Sequence, residues 1–162
     1  MLSFQKLLAN YRLASNGRGM PPPAFKMDYA KNNRYAEDRP ANIDWHSVNT
    51  CATRLSDAIT RVDPNFFHGV TAGPKWHEPI ERGGRNLPMN ARALAGALRY
   101  KLGPPIIAKS RTTLAGRRGV IFYDTITGYA GTGHISLWDG GAVVDGGDYF
   151  EYSTRVYLWP LN

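Results

Sequence analysis

A cysteine, a histidine and an aspartate in this chain have the types and surroundings to break an amide bond together. Cys51 is the single cysteine among 162 residues. A thiol attacks a carbonyl as the thiolate, so its surroundings must favour the anion. The run Asn49-Thr50-Cys51-Ala52-Thr53-Arg54-Leu55-Ser56-Asp57-Ala58-Ile59 supplies such surroundings. Asn49 or Thr50 is a natural helix N-cap, which puts Cys51 on the first turn. There, free N–H groups and the helix macrodipole stabilise negative charge, and the Cys51 N–H could help bind an oxyanion. Plain core packing explains the same position, because Cys51 shares an apolar stripe with Leu55, Ala58, Ile59 and Val62.

The base and its orienter come from Gly131-Thr132-Gly133-His134-Ile135-Ser136-Leu137-Trp138-Asp139-Gly140-Gly141-Ala142-Val143-Val144-Asp145. Asp139-Gly140 signals a two-residue hairpin loop. With that loop, Trp138 pairs with Gly141, Ser136 opposes Val143, and His134 opposes Asp145. Opposed residues share a sheet face with Cβ atoms ~4.5–5.5 Å apart. The carboxylate would then fix the imidazole tautomer and steady the imidazolium. A longer loop using Gly141 sets His134 opposite Gly146 instead. Asp139 is the rival third residue, although its Asp-Gly context suits a turn former. Ile135 and Leu137 face the other way, toward the helices, and Gly131 and Gly133 leave room for a substrate backbone. The plain alternative is an exposed hairpin with an incidental His and Asp. The catalytic reading needs sulfur and imidazole to meet in a water-accessible cleft.

These residues must be carried by elements that the pattern also predicts. Phe4, Leu7, Leu8 and Tyr11 line one face of a first helix. Pro21-Pro22-Pro23 is an extended segment, and residues 24–48 read as polar and irregular, broken at Pro40. The Cys51 helix ends at Pro64, and residues 64–88 form a Gly/Pro-rich connection. Asn90 caps the next helix, whose stripe is Leu94, Ala97, Leu98 and Leu102, and Gly103-Pro104 stops it. Ile106-Ile107, Val120–Tyr123, His134–Trp138, Ala142–Asp145 and Arg155–Trp159 read as strands. Helices followed by an antiparallel sheet make the class α+β, with residues 1–162 as one domain.

Cysteine at a helix start, then histidine and a polar orienter on following strands, is a papain-like order. The segments Asn49–Ser56, Gly119-Val120-Ile121-Phe122-Tyr123 and Gly133–Gly140 further resemble the type VI secretion amidase effectors, family four. The resemblance spans most of the chain. It implies an NlpC-type papain-like fold and an antibacterial cysteine amidase that cuts peptidoglycan stem peptides between γ-D-glutamate and meso-diaminopimelate. By motif it assigns Cys51 as nucleophile, His134 as base and Asp145 as orienter, with no cofactor. It also implies a cognate immunity protein and delivery by the secretion apparatus into the periplasm of target bacteria. Some family members carry paired cysteines near the active-site loops; with one cysteine, this chain has no such disulfide.

Composition narrows the alternatives. A hydrophobic fraction of 43% against 20% charged residues argues for a folded chain. The net charge is +7, and most of the excess lies between Lys75 and Arg118, where Glu78 and Glu81 are the acidic residues. Such a region suits nucleic acid, a membrane surface or an acidic cell wall. Zinc-finger spacing, an aromatic RNP-like strand and a strong helix-turn-helix pattern are all missing, so no nucleic acid is expected. No apolar run approaches the ~20 residues of a membrane span. The N-terminus lacks the apolar region of a secretory signal, which fits injection and an ordinary cytosolic protein equally. His46, His68 and His77 have no metal-ligand spacing. Trp45, Trp76 and Trp138 read as core, Tyr129 as a cleft wall, and Arg54 as a surface charge. Another papain-like peptidase or acyltransferase, or a basic binding module with Cys51 inert, are the competing readings.

Overall fold

Residues 1–13, 17–19, 50–70, 80–82, 85–87 and 90–162 are described by the computed structural model. Its central element is helix α2 (Cys51–Val62), whose first nine residues, Cys51 to Ile59, are all buried. Helix α1 (Phe4–Asn10) packs beside it and is capped by Ser3, whose side chain accepts from the Lys6 amide. Helix α3 (Ala91–Leu102) starts as expected at Asn90, whose side chain accepts from the amides of Arg92 and Ala93. Its buried stripe is Ala91, Leu94, Ala95, Ala97 and Leu98. Leu102, placed on that stripe by the sequence pattern, is 38% exposed, because it falls on the last turn just before Gly103.

Strands β1 (Ile80–Arg82) and β2 (Arg85–Leu87) pair as a short hairpin inside the region read from sequence as a connection. Three residues per strand are too few to show alternation. The main sheet contains β3 (Ile106–Ala108), β4 (Gly119–Ile126), β5 (His134–Trp138) and β6 (Ser153–Pro160) in the order β3-β6-β4-β5. All its pairings are antiparallel. The expected strand at Ala142–Asp145 does not form: its one ladder contact is an isolated bridge between Trp138 and Val143. The extended triproline and the irregular stretch 24–48 lie outside the described residues.

The sheet is buried on both faces, which explains the unbroken apolar run Val120–Tyr123. Val120, Phe122, Ile135, Leu137 and Trp159 pack with the helices around Leu55, Leu94 and Leu98. Ile121, Tyr123, Trp138, Val156 and Leu158 form a second core with Leu114 and Val143. Each fully buried Leu stabilises by about 1.5–3 kcal/mol. The two cores clamp β5 from both sides and so hold the residue at its start, His134.

Candidate active site

Cys51 occupies the first position of α2, as the sequence predicts. Thr50 is the N-cap residue and makes no side-chain cap bond. Asn49 lies outside the described residues. His134 and the backbone N–H of Ile135 lie close enough to the thiol to favour its anion by hydrogen bonding. The start of α2 is thus joined to the start of β5, two elements distant in sequence. Cys51 itself is 2% exposed, on a helix whose first nine residues are all buried. The imidazole is the more open partner, its side chain 14% exposed.

Asp145 meets His134 through Oδ1, 3.3 Å from Nε2. This leaves Nδ1 as the ring nitrogen for the sulfur. The expected neighbours therefore meet, but by a different route. Asp139 N donates to Ala142 O at 3.0 Å and Val144 N to Leu137 O at 2.9 Å, so Trp138 faces Val143 rather than Gly141. The loop is four residues long, and neither register considered from sequence is present. Asp139 itself is the cause: its Oδ1 accepts from Gly141 N at 2.8 Å and Ala142 N at 2.7 Å, closing a wider turn. It sits at the opposite end of β5 from His134. Asp145 then leaves the ladder on a turn closed by Gly146 N to Val143 O at 3.1 Å. Gly147 N holds the same carboxylate oxygen at 3.2 Å.

Two glycines are required by these approaches. Gly133 has φ +100°, and a Cβ there would strike the Tyr123 carbonyl as the chain enters β5. A Cβ on Gly147 would lie 2.7 Å from His134 Nε2. Two aromatic rings confine the imidazole: Tyr123 stacks at 6.3 Å between centroids and Tyr149 meets it edge-on at 5.2 Å. Tyr129, 42% exposed, is near enough for the Cys51 charge to act on its hydroxyl. Trp138 belongs to the second core, with Nε1 donating to Leu114 O at 3.3 Å.

Arg54 corrects the sequence reading most. It is 6% exposed, not a surface charge, and its Nη2 lies 3.0 Å from Asp145 Oδ2. Its Nη1 donates to the Tyr11 hydroxyl at 3.0 Å, and that hydroxyl donates to Asp145 Oδ2 at 3.1 Å. Ser136 Oγ completes the group, 3.1 Å from the same hydroxyl. The available signal was spacing: Arg54 is three residues beyond Cys51, one turn along the same side of the helix. Nothing local marked Tyr11 or Ser136.

The electrostatics favour a separated proton. Burial pushes the Cys51 thiol up, but the hydrogen bond and charge of His134, the Ile135 amide and Arg54 outweigh it and bring the thiol below its ordinary value. Burial alone would lower His134; its bonds to Asp145 and Cys51 instead raise it to about 9. Asp145 is opposed by burial yet held well below the usual carboxylate range by His134, Arg54 and the Gly147 amide. A thiolate–imidazolium pair backed by a carboxylate can attack a carbonyl and then protonate a leaving amine. No group of metal-ligating side chains occurs among the described residues; His46 and His77 lie outside them, as do Trp45 and Trp76.

Residues 47–159 match the family profile of the type VI secretion system amidase effector protein 4, Tae4. The chain belongs to the Tae4 family. Solved Tae4 structures share its fold. The Tae4 effector from Enterobacter cloacae, in complex with Tai4, matches over 100% of both chains with TM-score 0.66 and 17% identity. The Salmonella typhimurium Tae4, in complex with the immunity protein Tai4 from Enterobacter cloacae, also matches over 100% of both chains, with TM-score 0.65 and 14% identity. A further structure of the type VI effector Tae4 from Enterobacter cloacae gives TM-score 0.57 at 18% identity, covering 90% of this chain and 99% of that one. Comparison with curated protein sequences finds no match. The α+β papain-like architecture expected from the sequence is thus the Tae4 architecture, and membership makes the chain an amidase effector.

Proposed function

We propose that this Tae4-family amidase is a cysteine DL-endopeptidase working through Cys51, His134 and Asp145 on peptidoglycan stem peptides. The carrying observation is that His134 bonds the Cys51 thiol on one side and Asp145 on the other. The thiolate attacks the stem amide carbonyl, and the tetrahedral oxyanion forms against the backbone N–H of Cys51. His134 passes its proton to the leaving amine, leaving a thioester. Water, deprotonated by His134, then hydrolyses the thioester and releases the acid. Asp145 holds the ring and its charge throughout. Family likeness suggests the γ-D-glutamyl–meso-diaminopimelate bond as the one cut, with injection into the target periplasm. The Tae4–Tai4 complexes suggest a cognate immunity protein for this chain as well. Tyr129, exposed and within reach of the Cys51 charge, serves in this reading as one wall of the substrate groove. Residues 1–162 act as one amidase domain in this reading.

Digestion of purified peptidoglycan with mass spectrometry of the fragments tests the proposal. Stems ending in D-glutamate, with new amino termini on meso-diaminopimelate, are expected from the native chain and not from Cys51→Ala. Equal release by Cys51→Ala would reject the cysteine mechanism; cleavage at another bond would reject the substrate assignment.

A further inference from the structure

We infer that Arg54 and Tyr11 are positioning residues that hold Asp145 Oδ2 so that Oδ1 stays on His134, which makes the end of α1 part of the working site. The inference rests on the Cys51–His134–Asp145 reading and adds to it. An ionised carboxylate has about four acceptor positions. Here all are engaged: Oδ1 by His134 Nε2 and Gly147 N, Oδ2 by Arg54 Nη2 and Tyr11 Oη. The carboxylate cannot swing from the imidazole without breaking bonds on its other oxygen.

Tyr11 has one hydroxyl proton, and it is given to Asp145. The hydroxyl oxygen must therefore accept from Arg54 Nη1, and also from Ser136, whose own proton points toward it. Each donor in the group thus has one direction, and the chain ends at the carboxylate that backs His134. Burial raises Tyr11 far above its usual range, so the proton stays in place at any working pH. The guanidinium of Arg54 lies 5.3 Å from the Tyr11 ring centroid, which fixes the fork from the side. Gly19 covers it from another direction: any side chain there would run into the guanidinium.

Tyr11 and Gly19 precede the residues matched by the family profile. Both are nevertheless in contact with the group that orients the base. Arg54 stands one turn from Cys51 and adds a fixed positive charge that helps lower the thiol. Among the described residues, the titratable groups facing the Cys51–His134 pair are Arg54 on α2, Tyr11 at the end of α1, Asp145 after β5, and the tyrosines at 123, 129 and 149.

The test uses the full chain and the variants Tyr11→Phe, Arg54→Lys and Arg54→Gln. Two readouts are taken: kcat and KM on peptidoglycan fragments, and the pH dependence of Cys51 alkylation by iodoacetamide. Tyr11→Phe is expected to lower kcat about tenfold with KM unmoved, the loss of one hydrogen bond to a charged group. Arg54→Gln should shift the acid limb of alkylation upward by roughly one pH unit. Arg54→Lys should restore that limb, because the charge returns, but not kcat, because a single ammonium cannot bridge Asp145 and Tyr11. Wild-type kcat in both Tyr11→Phe and Arg54→Lys would overturn the inference. If the native chain leaves peptidoglycan uncut, the amidase reading falls, and alkylation then decides the rest. In that case the limb of Tyr11→Phe, which removes no charge, decides: unmoved, it overturns the positioning role, and shifted upward, it upholds it.

Discussion

At the scale of single residues, the site is a proton balance between a sulfur and an imidazole, with a carboxylate setting its direction. Cys51→Ala is expected to lower the rate of stem cleavage by at least about 10³-fold, because no covalent intermediate can form. Asp145→Asn should reduce kcat by about 10²–10⁴-fold, because an amide favours the wrong tautomer and does not stabilise the imidazolium. Asp139→Asn should leave kcat near the native value, since asparagine makes the same turn and the residue does not reach His134. Steady-state rates of the three variants on one substrate decide among them. The working form needs a deprotonated Cys51 and a protonated His134. Activity should therefore rise as pH passes a thiol value below the ordinary one, and fall as pH rises through about 9, where His134 loses its proton. A kcat/KM profile that kept rising beyond that point would contradict the ion pair. The nucleophile was legible because a helix start is a local feature. Arg54 was not, since whether a helical arginine faces water or a buried carboxylate depends on elements some forty and ninety residues away.

At the scale of elements, two starts meet: the first turn of α2 and the first residue of β5. Both are set by short-range geometry. The cap of α3 was readable from sequence for the same reason, because Asn90 accepts from amides two and three residues ahead. Asn90→Ala should destabilise the fold by about 1 kcal/mol in urea unfolding while sparing the pH profile. Gly133→Ala adds a side chain at φ +100° against the Tyr123 carbonyl. A stability loss of about 1–3 kcal/mol is expected, together with a fall in kcat, because His134 is the next residue. An unchanged melting temperature and rate in that variant would show that the entry into β5 tolerates a Cβ. The hairpin register is the counterexample to local legibility. Asp-Gly is compatible with several loop lengths, and the Asx bonds of Asp139 to two successive amides select the longer one. Asp145 reaches His134 only because the chain then leaves the ladder.

At the scale of the molecule, a sheet buried on both faces holds β5 rigid beneath the site. Leu55→Ala, in the core between α2 and the sheet, should destabilise by about 2–5 kcal/mol. The buried Asp145 ion pair links stability to acid. Its native value is depressed below 3.8, so its contribution is present above that pH and is lost as pH falls through the lower native value. Urea titrations in an acid series should show this loss in the native chain and a shallower one in Asp145→Asn. Arg99, Lys109, Arg117 and Arg118 of the basic middle region are exposed. If they draw the protein to a polyanionic wall, rising salt should weaken sacculus binding more than small-peptide turnover. Equal salt sensitivity of the two would remove that role.

The α+β class, the placement of Cys51 on a first turn and four of the five expected strands follow from the order of residue types alone. Periodicity, caps and turn formers act over a few residues, and neighbours in sequence suffice to state them. The meeting of Cys51 with His134, the four-residue hairpin loop, and the burial of Arg54 against Tyr11 and Asp145 were decided by the packed structure. Each depends on which surfaces remain after distant elements have docked, and no local rule carries that information.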